Sequence, residues 1–400
     1  MAGNSPITFF RDLVEITGAE LDMVNDFAYV NRPAEVSRNN RDNIIPLNQF
    51  ISSVEESAVV PFLERLFRQF KLSNFAYVQV GTSSLATTRI EARGDIVCLT
   101  DTSETTSSLF RSTDRGWTWF AQTTPTERIQ DIEPGAGQVW VFVSNASPYA
   151  YRSTNDAISW TAVSGMPVGE YRSISNDGGN NWCACGISGA KLANSTDDGI
   201  SFTARTEPDS NTTFGDIQHS RNSGDNVWIA VGSNSVNDNA FARSTDNGTT
   251  WSAIAVPTGL GSNTWVSVDT DGEGNWMAVA ASGTASERVV RSTDNGLTWS
   301  ILTLPTEFQG IHFKVKYDDN TWIITTFDKV KIIYSLDNGI NWEASTFRRY
   351  NDPAYTLPII GITYTEGAWL FLASIFFIDP SDDANPTKIL RSLEFQEGIF

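Results

Sequence analysis

The sequence is poor in the side chains that form disulfides or bind metals. Its 400 residues include only three cysteines, Cys98, Cys183 and Cys185, and two histidines. Cys183 and Cys185 lie two positions apart in a strand-like run, so they point to the same side of one strand and are poorly placed to bridge each other. No two cysteines have the CxxC spacing of a zinc site. We therefore expect reduced thiols, no disulfide framework, and no metal or cofactor.

Basic side chains and long apolar runs are also scarce. Lysine and arginine number 28 against 47 aspartates and glutamates, which gives a formal net charge of −19. A surface this acidic repels phosphate backbones and anionic membranes, so we expect no nucleic-acid partner. The most apolar stretch, 357–378, contains Glu366, glycines and threonines and alternates like strands, which argues against insertion into a membrane. The first residues lack the basic and apolar regions of a signal peptide, so we expect synthesis in a reducing cytoplasm without secretion.

Tryptophan and glycine are plentiful, at 13 and 29 residues, and a repeated segment contains many of them. The segment Arg111-Ser-Thr-Asp-Arg-Gly-Trp-Thr-Trp119 recurs in two full copies, three weaker copies and one decayed copy. These copies begin at Arg152, Asn194, Arg243, Arg291, Tyr334 and, in the decayed case, Arg391. The central Asp or Asn falls at positions 114, 155, 197, 246, 294 and 337, so successive copies are 41 to 49 residues apart. That period is the length of one four-stranded blade of a β-propeller.

A second pattern recurs with the same period as the repeated segment. A run of the form Trp-apolar-x-apolar precedes each copy of the repeated segment, except that Ile96 begins the first run without a Trp. The Trp residues of the other six runs are Trp140, Trp182, Trp228, Trp276, Trp322 and Trp369. Continuous apolar runs of this kind predict strands buried on both faces between neighbouring sheets.

The repeated segments resemble the Asp-box, or BNR repeat, with its pattern Ser-x-Asp-x-Gly-x-x-Trp. In that family the segment forms the turn between the third and fourth strands of a propeller blade. The resemblance implies that the Asp accepts hydrogen bonds from amides of its own turn, that Gly supplies a positive φ, and that the Trp packs between blades. Asn155 and Ala157 depart from the pattern, so we expect a less regular second turn. The structural residues predicted in this way are Asp114, Asn155, Asp197, Asp246, Asp294 and Asp337, with Trp119, Trp160, Phe202, Trp251, Trp299 and Trp342.

Seven repeats predict a mainly β fold: a seven-bladed β-propeller with Asp-box turns over residues 74–400, preceded by a small α-helical region over 1–73. The ring needs a last outer strand. The run Phe75–Val80 supplies it in the interpretation that we favour, pairing beside Lys388–Ser392. In the alternative, Gly398–Phe400 closes the last blade.

Residues 1–73 contain no copy of the repeat. Ser5-Pro6 and the capping box at Ser53–Glu56 predict two helix starts, each followed by an apolar stripe. The helices either pack on the flank of the propeller or serve as an anchor that docks it to a larger assembly or to a second copy. The docking residues predicted for the second case are Phe9, Phe10, Leu13, Phe62, Leu66, Phe67 and Phe70.

Sialidases are enzymes with Asp-box propellers, so we compare the sequence with the requirements of a sialidase site. Their site needs three arginines that converge on a carboxylate, a Tyr–Glu nucleophile pair and an acid–base Asp. The family's Arg-Ile-Pro motif is absent, and the nearest match is Arg128-Ile-Gln. Arginines such as Arg111 and Arg243 occupy the same position in different repeats, so they cannot converge on one centre. We expect no catalytic residues and no enzyme activity.

The remaining hypothesis is a structural or binding protein with varied loops on a rigid ring. The chain looks like the propeller-bearing proteins of tailed-bacteriophage virions, in tail, nozzle or fibre positions. Its partners would be other subunits of the particle, a second copy of itself, or a glycan or host receptor. One alternative is an assembly factor resembling the photosystem II stability factors. A second alternative is a sialidase-like glycoside hydrolase.

Overall fold

The computed structural model describes residues 75–80, 87–101, 108–125, 128–222, 224–326, 331–346, 359–373 and 387–392. The first half contains the strands β1 (Phe75–Val80), β2 (Thr87–Arg93), β3 (Ile96–Asp101), β4 (Ser108–Ser112), β5 (Phe120–Gln122), β6 (Ile129–Pro134), β7 (Trp140–Ser144), β8 (Ala150–Ser153), β9 (Thr161–Ala162), β10 (Gly169–Asn176), β11 (Trp182–Gly189), β12 (Leu192–Ser195), β13 (Thr203–Arg205) and β14 (Thr212–His219). The second half contains β15 (Trp228–Asn234), β16 (Phe241–Ser244), β17 (Ser252–Ile254), β18 (Trp265–Thr270), β19 (Trp276–Ala280), β20 (Val289–Ser292), β21 (Ser300–Ile301), β22 (His312–Asp318), β23 (Thr321–Thr326), β24 (Lys331–Ser335), β25 (Glu343–Thr346), β26 (Ile359–Thr365), β27 (Ala368–Ala373) and β28 (Thr387–Ser392).

These strands form seven four-stranded antiparallel sheets. Six of them, blades 1 to 6, are built from consecutive strands: β2–β5, β6–β9, β10–β13, β14–β17, β18–β21 and β22–β25. The seventh, the closing blade, has the order β1-β28-β27-β26. Because neighbouring strands run in opposite directions, the first-to-second and third-to-fourth turns of each blade lie at one end, the turn end. The links between blades and the second-to-third loops lie at the other, the link end.

The apolar core lies between the sheets. The buried apolar residues form seven clusters, and each cluster draws its members from two neighbouring blades. One of them joins the closing blade to blade 1, since Ile389 and Leu372 pack with Ile90 and Val97. The second strands are buried on both faces, as the sequence predicts; their six Trp residues are all at most 1% exposed. This double-sided burial explains why those strands contain no polar alternation.

The last sheet is closed by the chain's first described strand. β1 pairs with β28 over its whole length, from Phe75 opposite Ser392 to Val80 opposite Thr387. This confirms the favoured closure; the alternative strand Gly398–Phe400 lies outside the described residues. The register also places Phe75 at the position that the Trp of the repeated segment has in the other blades. Phe75 faces Ser392 in the closing blade. In blade 4 Arg243 faces Ser252, so the next pair, Ser244 with Trp251, is the equivalent one.

The predicted fold class needs correction on two points. Six blades, not seven, are continuous repeats of four strands, since the seventh sheet is assembled from the two ends of the described chain. Without β1 the last sheet would have three strands, and pairing β1 beside β28 gives it four, as in the other blades. The described residues also contain no α-helix, only 3₁₀ turns at Ala285–Glu287 and Thr306–Phe308. The helical region predicted for 1–73, and with it the domain boundary, lies outside the described residues.

Two simpler features complete the description. Cys98, Cys183 and Cys185 are free and buried, and burial raises the pKa of each thiol. None of the described helical segments has the length and apolarity needed to cross a membrane.

The closure predicts a stability effect in β1. Val80 is 0% exposed and packs between the closing blade and blade 1. Val80→Ala should lower the free energy of unfolding by about 2 kcal/mol, because it leaves a cavity in that interface. Urea denaturation checks this, with Val168→Ala as the matched control, since Val168 is 71% exposed. Equal stability of the two variants would contradict the closure.

Candidate functional site: the central channel and the repeat turns

The first strands of the seven sheets line the centre of the ring. Each has a β-bulge at the same place, followed by a tripeptide whose middle residue is Ile or Val. These middle residues are buried between the blades, and the residues on either side alternate to the opposite face, toward the channel. The tripeptides are Arg89-Ile90-Glu91, Asp131-Ile132-Glu133, Ser173-Ile174-Ser175, Asp216-Ile217-Gln218, Ser267-Val268-Asp269, Lys314-Val315-Lys316 and Gly361-Ile362-Thr363.

The first residues of the tripeptides form a continuous polar arc. Arg89 Nε donates to Asp131 Oδ1 at 3.0 Å. Ser173 Oγ lies 2.7 Å from Asp131 Oδ2 and 2.8 Å from Asp216 Oδ1, so it bridges the blades on both sides. Lys314 Nζ lies 3.5 Å from Asp216 Oδ2. Burial acts to raise the pKa of Asp216, but Lys314, Arg89 and the hydrogen bonds outweigh it and hold that pKa below its usual value.

These side chains also satisfy backbone amides of the next blade. Asp131 accepts from Ile174 N at 3.1 Å, and Asp216 accepts from Val268 N at 3.1 Å. The first strand of each sheet is an edge strand, and its outward amides would otherwise be unpaired inside the ring. The channel carboxylates therefore join neighbouring blades as well as lining the channel.

The third residues of the tripeptides form a second charged layer, nearer the turn end. Lys316 Nζ lies 3.4 Å from Glu91 Oε2, and Arg221 donates to both oxygens of Asp269 at 2.6 and 2.8 Å. Burial, reinforced by the Glu91 carboxylate, raises the pKa of Glu133 well above its usual range. Burial also raises the pKa of Glu91, because the attraction of Lys316 does not fully offset the lost hydration.

The channel has little free space. The cavity between the two charged layers measures about 30 Å³, which accommodates water molecules but not a sugar unit. Across the described residues, no three His, Cys, Asp or Glu side chains are arranged to hold a metal ion. The arrangement can exchange protons and bind water, and it provides no room for a larger substrate.

The repeated segments lie at the turn end, between the third and fourth strands of blades 1 to 6. Asp294 represents the set: its Oδ1 accepts from Leu297 N, Thr298 N and Ser292 Oγ, and its Oδ2 accepts from Thr298 Oγ1 at 2.6 Å. The following two residues, Asn295 and Gly296, have φ of 58° and 78°. Glycine is needed at the second of these, since a Cβ on Gly296 would collide with Ile229 of the preceding blade. The turn therefore fixes the contact between blades.

The other predicted turn residues take equivalent places. Asp114, Asp197, Asp246 and Asp337 accept from their own turns in the same way. The indole N–H groups of four of the predicted Trp residues donate to the glycine carbonyl of their turns; these are Trp119, Trp251, Trp299 and Trp342. The second turn, with Asn155 and Ala157, keeps the amide contact from Ser159 N, while Trp160 Nε1 has no partner. Phe202, in the third turn, is buried.

The repeated arginines connect the blades and do not converge. Arg111 Nε donates to Asp156 O in the next blade, Arg152 Nε donates to Asp198 O, and Arg243 Nε donates to Asn295 O. The six turns thus lie around the rim in six different blades and make no common site. The predicted docking residues from Phe9 to Phe70 lie outside the described residues.

The sequence reasoning missed the channel residues. Their signal was available, because a polar residue, Ile or Val, and a second polar residue recur in six of the first strands. The pattern is too short to stand out without the bulge that aligns it. The turns were found because their eight-residue pattern is long and keeps its Asp, Gly and Trp.

A match to a family model shows which family this chain belongs to. The model of the DUF6242 beta propeller domain matches residues 79–334, which is more than half of the chain. The chain belongs to this family. No curated protein matches the chain. The more specific resemblances, to Asp-box proteins and to virion propellers, stay predictions.

Solved structures share the fold with the DUF6242 propeller at low sequence identity. YCF48 bound to D1 peptide has a TM-score of 0.59 and 15% identity, and the alignment covers 81% of this chain and 98% of that chain. Virginiamycin B lyase from Staphylococcus aureus has a TM-score of 0.56 and 15% identity over 79% and 98% of the two chains. An ancestral GH74 enzyme has a TM-score of 0.53 and 13% identity over 79% of this chain, but the match spans only 47% of that enzyme.

The repeat turns predict an acid-sensitive stability. Partial burial acts to raise the pKa of Asp294, but hydrogen bonds from Thr298 and Ser292 outweigh it and place that pKa below its usual value. The ionised form is thus favoured by folding, so this stabilisation is present above the carboxyl's unfolded pKa and is lost as the pH falls below it. Asp294→Ala should lower the free energy of unfolding by about 1–3 kcal/mol at pH 7.

Asp294→Asn should cost less than Asp294→Ala, because Asn155 keeps the hydrogen bond from the Ser159 amide in blade 2. It should also weaken the dependence of the melting temperature on pH below about 4. Glu273→Ala, at an exposed site in the neighbouring turn, is the control. Unchanged melting of Asp294→Ala would refute the role of the turn.

The channel arc predicts a buried-charge effect. Lys314→Met leaves Asp216 buried with less compensation, so the unfolding free energy should fall by about 3 kcal/mol at pH 7. Removing Lys314 raises the folded-state pKa of Asp216, so the deficit relative to the wild type should shrink as the pH falls and the carboxyl becomes neutral. Lys314→Met/Asp216→Asn should recover part of the loss in urea denaturation. An additive double variant would contradict the pairing.

Proposed function

We propose that this DUF6242 propeller is a non-catalytic binding subunit of a larger protein assembly. The observation that carries the proposal is the filled channel. Its carboxylates Asp131, Asp216 and Asp269 are engaged by cations and backbone amides. The cavity left between them, about 30 Å³, admits water only.

The outer surface offers room for a macromolecular ligand, which the channel lacks. Exposed loops at the two ends of a rigid ring are suited to recognition, because the scaffold lowers the entropic cost of ordering them on binding. The neighbouring propeller YCF48 was solved with a peptide bound, which supports a protein or peptide ligand for this class of ring. The described channel supports no comparable site for a glycan.

The specific assembly that we propose is a tailed-phage virion, in which the chain would contact neighbouring subunits or the host surface. This choice rests on the sequence resemblance alone. An assembly factor is the second candidate, favoured by the agreement in ring size with YCF48, of which 98% is covered. A glycoside hydrolase is the third, supported by the partial match to a GH74 enzyme and opposed by the filled channel.

Copy number distinguishes these candidates. The protein should co-purify with a particle from its source at a fixed integer ratio, measured by quantitative mass spectrometry with isotope-labelled peptides. An amount well below one copy per particle, falling as the particle matures, would favour the assembly factor. Turnover of any substrate in a panel of polysaccharides and sialosides, abolished by a substitution in the channel, would overturn the proposal.

A further inference from the structure

Three first strands end on a side chain that accepts a hydrogen bond from the turn that follows. In blade 3, Asn176 Oδ1 accepts from the amide two residues later at 2.7 Å. In blade 5, Thr270 Oγ1 accepts from the amide at the same spacing at 3.2 Å. In blade 4 the acceptor is His219 Nδ1, which lies 3.1 Å from Arg221 N. The same contact therefore begins three turns at the turn end, with a different acceptor in each.

The acceptor in blade 4 is the one of these three that titrates near neutral pH. A backbone amide only donates, so the bond requires an unprotonated Nδ1 and places the ring hydrogen of His219 on Nε2. His219 is 2% exposed, and its ring centroid lies 4.8 Å from that of Trp228. Burial lowers the pKa of His219, although the carboxylates of Asp177 and Asp225 act in the opposite direction. The closed turn therefore holds a neutral imidazole.

Arg221 occupies a position that the equivalent turns give to glycine. Its φ is 60°, and the residues at the same place in blades 3 and 5 are Gly178 and Gly272, with φ of 82° and 80°. This left-handed conformation is strained for a residue with a Cβ, so it persists only where surrounding contacts hold it. An arginine at a glycine position indicates that its side chain, rather than the shape of the turn, accounts for its presence.

The side chain of Arg221 joins three blades at the second charged layer. Its Nη2 donates to both oxygens of Asp269 in blade 5, at 2.6 and 2.8 Å, and its Nη1 donates to Tyr317 O in blade 6 at 2.6 Å. Asp269 also accepts from Tyr317 N at 2.7 Å. We call these three residues the Arg221 clamp.

We propose that His219 is a pH-sensitive latch, and that its protonation releases the Arg221 clamp. A proton on Nδ1 removes the acceptor of the Arg221 amide and places two cations two residues apart. The strained backbone of Arg221 then relaxes, and the guanidinium withdraws from Asp269 and from the Tyr317 carbonyl. Blades 4, 5 and 6 are therefore joined by the clamp at neutral pH and released from it in acid.

The difference in proton affinity between the two states sets the direction of the effect. In the open state the imidazole of His219 is hydrated and has its ordinary pKa of about 6.5, whereas the closed state resists protonation. As the pH falls below that value, the open state binds a proton that the closed state lacks, so the closed state loses stability. One proton bound in this way raises the opening equilibrium up to about eightfold between pH 7 and pH 5.5.

Carboxyl groups of the channel are the alternative source of such a response. Asp318, Glu133 and Glu91 attract the guanidinium of Arg221, and Lys316 repels it. Burial raises the pKa of each of the three carboxyls. They too gain protons as the pH falls, and this would weaken their hold on Arg221 without any change at His219.

The test is hydrogen exchange of the full chain, measured by mass spectrometry with fragmentation that resolves single amides and corrected for the intrinsic effect of pH. We expect the Arg221 amide of the wild type to exchange up to about eightfold faster at pH 5.5 than at pH 7. His219→Asn gives blade 4 the acceptor that Asn176 provides in blade 3, so its Arg221 amide should exchange equally at both pH values. An unchanged wild-type rate, or the same acceleration in His219→Asn, would overturn the proposal.

Single substitutions in the channel distinguish the latch from the carboxyls. Glu91→Gln, Glu133→Gln and Asp318→Asn each remove one alternative titration and should keep the wild-type acceleration at the Arg221 amide. Loss of the acceleration in any of them would assign the response to that carboxyl and refute the latch.

Arg221→Gly tests the clamp itself. It gives blade 4 the residue that blades 3 and 5 have at this position, so the turn forms without strain while the contacts to Asp269 and Tyr317 are lost. The Tyr317 amide should exchange faster than in the wild type at pH 7 and should lose its further acceleration at pH 5.5. A cooperative melting transition at pH 7 checks that each variant is folded. A Tyr317 amide as protected in Arg221→Gly as in the wild type would contradict the clamp.

Discussion

Burial of each second strand between two neighbouring sheets is the constraint on which the rest of this structure depends. A strand with apolar side chains on both faces is stable only when a sheet covers each face. Every blade therefore needs two neighbours, and a row of blades is satisfied only when it closes on itself. The cluster that joins Ile389 and Leu372 to Ile90 and Val97 completes this requirement, and β1 supplies the strand that makes the last sheet as wide as the others.

Closure creates a problem at the centre that the charged residues resolve. Seven edge strands converge there, and the ring leaves little space for water to hydrate their amides. Asp131 and Asp216 accept from amides of the next blades, while Arg89 and Lys314 balance their charge. The needs of the fold therefore account for the channel contacts of Asp131 and Asp216, and our proposal of a binding role for the outer surface rests on this.

The sequence predicted the repeating parts of the fold well. The turn segments, their Asp and Gly roles and the buried Trp strands depend on interactions within a few residues or on a pattern repeated many times. The borrowed strand was also found, since a ring of incomplete blades must be closed. The predicted count of seven blades needed correction, because six sheets are continuous in sequence and the seventh uses a strand from the other end. The helical region predicted for 1–73 lies outside the described residues.

The candidate site also has one part that local sequence determines and one part that depends on the tertiary structure. Local sequence by itself determined the repeat turns, because Asp294 and its equivalents bond to amides no more than four residues away, and the glycine pattern sets the backbone. Only the tertiary structure decided which charges meet in the channel, since Lys314 reaches Asp216 across an intervening blade and Ser173 joins two others. These contacts join residues forty or more positions apart, and no short-range pattern in the chain specifies them.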